Sequence, residues 1–223
     1  DGTVTIMSYD VFSRFSFTDD RFRELTNDLK DQIINPDSEK GKRDSAKDKE
    51  AIEGLAGLGI IGTEKNLKFD ETGFDMITVD EAHNFNNIFV DIKTKDQFGG
   101  KNKLSDDEEE AAGKANEFGG ITGGSPSARG IKLYLAAQHI LKTNQDRNVL
   151  LLTATPFTNN PLQVYSLLSI VAKKRLRDMG IYNIRDFIAT FVETSWENTI
   201  EGNGEIKQRQ VVRNFKNGHA FQS

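Results

Sequence analysis

The chain has 223 residues with 29 Lys and Arg against 34 Asp and Glu, a net charge of −5, 36% hydrophobic residues and no cysteine. This composition fits a globular chain with a sizeable core, and it excludes disulfides, cysteine zinc sites and a surface devoted wholly to nucleic acid. No run of eighteen apolar residues and no basic-then-apolar amino terminus occurs, so neither a membrane span nor a secretory signal is expected, and a cytoplasmic location is.

Val4-Thr5-Ile6-Met7 is a short β-branched strand candidate that ends at Ser8-Tyr9-Asp10, with Phe12 and Phe15 beyond it. Phe22, Leu25, Leu29 and Ile33 repeat at helical spacing behind Asp19 and Asp20, and Pro36 stops the run. Asp37 to Glu50 is polar and reads as a loop or the start of a second helix carrying Ile52, Leu55 and Leu58. A loop or short strand is expected around Leu67 to Phe69. Phe74 to Val79 then reads as a strand covered on both faces, leading into Asp80-Glu81-Ala82-His83.

Thr94 to Ser127 has little periodicity, many glycines and the acidic block Ser105 to Glu110, so a long insertion is expected there, with at most a short helix over 108–116. Ile131 to Lys142 reads as an amphipathic helix, and Asn148 to Thr153 as a second buried strand running into Thr153-Ala154-Thr155-Pro156. Asn160-Pro161 marks a helix start whose apolar face would hold Leu162, Tyr165, Leu168 and Val171. A further helix is expected from Ile184 to Phe191, capped by Asn183. Alternation over Thr194 to Glu201 and Glu205 to Val212, around Gly202-Asn203-Gly204, signals a β-hairpin. The runs Lys173 to Arg177 and Lys207 to Lys216 are basic, which ordinarily marks a solvated face.

The chemistry lies at the ends of the two apolar strands. Parallel α/β sheets bind ligands at their carboxyl edge, where an acid pair and a hydroxyl cluster would meet. Nucleotide hydrolysis needs Mg²⁺ on the phosphates and a group to orient water. Asp80 would hold Mg²⁺, through water because Mg²⁺ dehydrates reluctantly, and Glu81 would polarise the attacking water. His83 would bond a second element and report the state of the site. A specified tetrapeptide arises by chance in roughly one chain in a thousand of this size, so the tetrad carries more weight than the Thr-rich cluster, whose hydroxyls could simply cap a turn. There is no H-E-x-x-H, and His139 and His219 read as incidental. The run from Gly119 to Gly124 reads as a loop, and Arg129 as either a phosphate-backbone contact or a surface arginine. No G-x-x-x-x-G-K-[ST] loop occurs in the chain.

These residues resemble the superfamily 2 helicases and translocases, with Asp80-Glu81-Ala82-His83 as motif II and Thr153-Ala154-Thr155 as motif III. The stretch Leu150 to Leu168 is similar to the SWI/SNF-type branch, as is Ile6 to Phe12, which follows motif Ia there. Phe74 to Asn87, Gly120 to Arg129 and Gly180 to Phe187 resemble the large helicase proteins, often fused to methylases, of phages and conjugative elements. The resemblance implies an α/β fold: a partial RecA-like domain over residues 1–192, with a parallel sheet flanked by helices and an insertion at about 94–127, then a hairpin or linker over 193–223. It implies ATP and Mg²⁺ as cofactors, catalysis by Asp80 and Glu81, coupling through His83, Thr153 and Thr155, and nucleic-acid contacts from Ser8, Tyr9, Arg129 and Asn159.

The implied activity is part of an ATP-dependent DNA helicase or translocase acting on double-stranded DNA. The phosphate loop and a second RecA-like domain would lie in flanking segments, with a methylase domain possible in the same protein, and the chain alone would be inactive. In the resembled sheet the motif III strand is central, so an open edge would invite dimerisation or strand swapping. Two alternatives stay open: a non-catalytic nucleic-acid or partner-binding module using the insertion and the basic hairpin, and an RNA helicase.

Overall fold

The computed structural model describes residues 2–33, 66–88, 127–156, 162–182, 184–200 and 206–219. The expected helix around 52–58, the insertion up to residue 126, Asn159, the Asn160-Pro161 and Asn183 caps and the hairpin turn lie outside the described residues.

Helix α1 (Tyr9–Ser13) starts at Ser8, whose hydroxyl accepts from the Val11 N–H at 3.3 Å, an N-cap that satisfies one of the helix's unpaired donors. Helix α2 (Asp19–Ile33) carries Asp19 and Asp20 in its first turn, where carboxylates complement the helix dipole, and buries Phe22 and Leu25. Just before it, Ser16 forms an isolated parallel bridge with Lys68, and Thr18 bonds the Asp70 carboxylate at the 3₁₀ turn Phe69–Glu71. Phe12, Phe15, Phe17, Phe69 and Phe74 meet around this junction in edge-to-face and tilted pairs with centroids 5.7–6.3 Å apart. Full burial of a ring, as at Phe17 and Phe69, is worth roughly 1.5–3 kcal/mol, and Phe74 is only partly buried.

Strands β1 (Ile77–Val79) and β2 (Val149–Leu151) pair in parallel, in the register Ile77 with Val149, Thr78 with Leu150 and Val79 with Leu151. The connection between them includes α3 (Ala128–Thr143), capped by the Ser127 hydroxyl. Helix α4 (Leu162–Val171) also packs on β2, α5 (Lys173–Asp178) follows it directly, and α6 (Ile184–Phe191) lies against α4. Strands β3 (Val192–Ile200) and β4 (Ile206–Phe215) form the antiparallel hairpin, with a register shift between Glu193 and Thr194. The hairpin is held at its base by the Lys216 N–H on the Phe191 carbonyl at 2.8 Å and by Asn217 Nδ2 on the Thr190 carbonyl at 2.7 Å. A small parallel sheet with helices and a carboxyl-terminal hairpin is the α/β class expected of the sequence.

Several local expectations are corrected. Val4 to Met7 forms no strand and pairs with none among the described residues, and Val4 and Ile6 are 91% and 94% exposed. The two strands are covered on one face only: Ile77, Val79, Val149 and Leu151 turn to the core, while Thr78 is exposed and Leu150 is 45% exposed. Helix α3 is not amphipathic in effect. Every residue from Gly130 to Leu141 except His139 is buried, because α2, α4, β2 and both 3₁₀ turns surround it. Its one buried cation, Lys132, donates to the Ser13 carbonyl at the end of α1, and burial pushes its pKa down. Val171 is exposed and Ile170 takes its place in the core. The basic run at Lys173 is a helix whose first lysine is buried and donates to the Tyr134 hydroxyl at 2.9 Å.

Candidate functional site

The pairing of β1 with β2 places the two polar clusters side by side. Beyond the regular ladder the two chains go on exchanging bonds, from the Leu152 N–H to the Val79 carbonyl at 2.8 Å and from the Ala82 N–H to the Leu152 carbonyl at 2.9 Å. Ala82 is therefore anchored on the neighbouring strand end, and the residue after it, His83, faces Thr153. Its Nδ1 lies 3.2 Å from Thr153 Oγ1, 3.5 Å from Thr155 Oγ1 and 3.2 Å from Glu81 Oε2.

The partners of that nitrogen fix its proton. A carboxylate oxygen can only accept, so the bond to Glu81 calls for the tautomer with hydrogen on Nδ1, and Thr153 Oγ1, which accepts from the Thr155 N–H at 3.1 Å, keeps a second lone pair for the same hydrogen. One Glu81 oxygen is thus held by His83, and the other remains able to accept from a water.

Glu81 itself has φ 48° and ψ 47°, the left-handed region that non-glycine residues rarely adopt and that tends to be retained where geometry matters for function. The peptide joining Asp80 to Glu81 is pinned at both ends: its N–H donates to Asp80 Oδ1 at 3.0 Å, and its carbonyl oxygen accepts from the Tyr9 hydroxyl. The 3₁₀ turn Ala82–Phe85 follows, and Asn84 reaches back from it to the Glu81 carbonyl at 3.0 Å.

The far side of this turn is closed by packing. Phe85 is 1% exposed and meets the Tyr9 ring edge-on at 5.0 Å. Helix α3 approaches so closely that a Cβ on Gly130 would lie 2.8 Å from the Phe85 carbonyl oxygen, and the Ser127 N–H bonds the Asn87 carbonyl at 2.7 Å. Only glycine fits there. Next to it, the Arg129 guanidinium carbon sits 5.8 Å from the Tyr9 ring centroid. Burial, and then the carboxylates of Asp80 and Glu81, push the Tyr9 pKa above its ordinary value and keep the hydroxyl protonated as a donor.

Of the residues singled out from the sequence, Asp80, Glu81, His83, Thr153 and Thr155 come together at the two strand ends. Ser8 caps α1, and Tyr9 and Arg129 stand beside the acid turn. Asn159 lies outside the described residues. His139 is engaged elsewhere, accepting from Arg21 Nε at 2.9 Å. Gly130 and Asn84 were not anticipated. A glycine in the first turn of an apolar helix was the visible signal for the first, whereas nothing in the sequence pointed to the second. Among the described residues no cluster of three or more His, Asp or Glu side chains forms a ready-made metal cage. Asp80 and Glu81 nevertheless suit Mg²⁺, which keeps several waters and takes one or two carboxylates beside substrate phosphates. No described helix is long and apolar enough to cross a membrane.

No family model and no solved structure matches the chain. Among curated proteins it is similar to the "Defense against restriction protein B" of Escherichia phage P1, at 24% identity over 222 residues, which is 96% of this chain. The chain spans 9% of that protein's length. This finding corrects the resemblance drawn from the motifs: the protein matched along the chain is a phage defence-against-restriction protein, and no superfamily 2 or SWI/SNF-type model matches.

Proposed function

We propose that this chain carries the metal-placing and water-placing part of an ATP-dependent DNA motor of the helicase or translocase type. The observation that supports this best is the single bond network in which His83 Nδ1 reaches Thr153, Thr155 and Glu81 within 3.5 Å. The network joins an acid pair on one strand end to hydroxyls on the next, as placing a metal and a water side by side requires. In this reading Asp80 holds Mg²⁺, which when bound with ATP screens the charge on the phosphates. Glu81 uses the oxygen not held by His83 to orient a water and take its proton. His83 passes the position of Glu81 to Thr153 and Thr155, the hydroxyls that a moving neighbour would displace.

The groups that cradle the phosphates are not among these residues, so the reading assigns them to flanking segments of the same protein, without which this stretch does not turn over ATP. DNA is the proposed track. Restriction is cleavage of DNA, and the phage protein to which the chain is similar is named for defence against it.

The test is ATP turnover by the full-length protein with and without duplex DNA. Wild type should be stimulated by DNA, and Glu81→Gln should lose turnover by about a hundredfold or more, the scale of a lost general base. DNA-stimulated turnover that persists in Glu81→Gln defeats the assignment.

A further inference from the structure

We propose that Tyr9 is a positioning residue through which a nucleic-acid phosphate bound at Arg129 alters the geometry of the Asp80-Glu81 turn. The inference rests on the reading of that turn given above and names its regulation. Tyr9 stands where three elements meet. Its hydroxyl donates to the Asp80 carbonyl, its ring edge packs on Phe85 at 5.0 Å, and the Arg129 guanidinium carbon lies 5.8 Å from its centroid.

The bond to Asp80 is directed at the element that matters. The Asp80 carbonyl belongs to the same peptide unit as the Glu81 N–H, so its orientation sets the Glu81 φ of 48°. That peptide is held by two bonds only a few ångströms from the acid pair: Tyr9 on its oxygen, and Asp80 Oδ1 on its nitrogen at 3.0 Å. Weakening the first releases rotation about the second. For packing alone a phenylalanine would serve equally at this position.

Arg129 supplies the input. Its backbone is fixed relative to the turn, because the next residue, Gly130, packs against the Phe85 carbonyl and Ser127 bonds Asn87. Among the described residues its guanidinium lies against the ring face, a weaker contact than a charge-assisted bond to phosphate, so an arriving phosphate can draw it away. A cation over the ring makes the phenol a stronger donor, and its departure weakens the bond to the Asp80 carbonyl. Phosphate occupancy and the conformation of Glu81 are thereby linked, and each must shift the other by the same factor in binding.

The experiment uses the full-length protein and compares wild type, Tyr9→Phe, Arg129→Gln and Arg129→Lys. It reads the ratio of DNA-stimulated to basal ATP turnover and the affinity for duplex DNA at several salt concentrations. Tyr9→Phe should lower the turnover ratio about fivefold, the lower end of ordinary coupling, and shift DNA affinity by no more than that factor, with its salt slope unchanged. Arg129→Gln should lower the ratio as well and reduce the slope of log affinity against log salt by about one, and Arg129→Lys should restore the slope. Loss of folded structure in Tyr9→Phe, seen by thermal melting, moves the decision to the arginine pair. Stimulated wild type with an unchanged ratio in Tyr9→Phe, or an unchanged salt slope in Arg129→Gln, overturns the coupling alone. Wild type that does not hydrolyse ATP overturns the motor reading and this inference with it.

Discussion

The two sides of the Asp80 to Phe85 turn are built on opposite principles. The side toward α3 is dry and interlocked: Phe85 is buried, Gly130 lets the helix backbone touch the turn, and Tyr9 closes the gap with its ring. The side toward β2 is open and polar, with Glu81, His83, Thr153 and Thr155 sharing a hydrogen-bond network at a sheet edge whose outer face carries exposed Leu150 and Leu152. Packed interfaces resist small displacements, whereas exposed hydrogen bonds exchange readily with water. The turn is therefore anchored on one side so that it can move on the other. The proposed role would call for that division, since an acid pair that places a metal and a water must be held reproducibly yet respond to what binds.

The comparison breaks most severely if the packed side is forced apart. Gly130→Ala places a methyl 2.8 Å from the Phe85 carbonyl oxygen, which is backbone and cannot swing away. Alanine ordinarily favours a helix over glycine by about 1 kcal/mol, but overpacking of this kind costs roughly 1–3 kcal/mol or more, and here the clash should win. A net loss of about 2 kcal/mol is expected in chemical denaturation, with a melting point lower by roughly 5 °C for a chain of this size. A stabilised Gly130→Ala variant would show that α3 is free to slide, and the anchored side would not exist.

The open side is tested by the strain it retains. At Glu81, φ of 48° penalises any residue with a Cβ, so Glu81→Gly should be more stable than Glu81→Ala by about 1 kcal/mol. This reverses the usual order, in which alanine is the more stable of the two because glycine loses more backbone entropy on folding. Paired urea titrations decide it. Alanine equal to or better than glycine would mean that the left-handed turn is not maintained in solution.

What the sequence disclosed follows the same division. Two apolar runs ending in polar clusters were enough to place Asp80 and Thr153 at one edge of a parallel sheet, because parallel strands deliver their carboxyl ends to one edge, but not to show that the two strands are direct neighbours. The helices α2, α3 and α6 were visible as periodic apolar stretches, and the hairpin as alternation around glycines. The contacts that give the turn its shape were not visible. That Tyr9 donates to Asp80, that Glu81 is left-handed and that Gly130 touches Phe85 depend on the separation of segments far apart in the chain, which no local periodicity encodes. Burial was misjudged for the same reason. The stretch Ile131 to Lys142 read as amphipathic, yet Lys132 reaches the Ser13 carbonyl and Gln138 donates to the Ile170 carbonyl at 3.2 Å, so both polar ends are satisfied within the core. In the opposite sense, Val4 to Met7 has strand-forming residues, but β-branching does not make a strand when no described neighbour pairs with it.

The packed side extends along α3 to His139, and there the smallest of the effects should appear. His139 Nδ1 accepts from Arg21 Nε at 2.9 Å, and the ring stands edge-on to Phe69 with centroids 6.0 Å apart. Burial, and then the charge of Arg21, hold its pKa below the ordinary 6.5, against the weaker opposing pull of Asp70 and Glu24. The folded state therefore favours neutral imidazole, and below pH 6.5 the unfolded chain binds the proton first. This contribution is complete above the unfolded pKa and is lost as pH falls through the folded one. Denaturation midpoints measured between pH 7.5 and 5.5 should decline more steeply for wild type than for His139→Gln, which cannot titrate. Parallel slopes would show that the ring is already released from Arg21 in solution, and that the tight packing at Phe85 stops short of the far end of the helix.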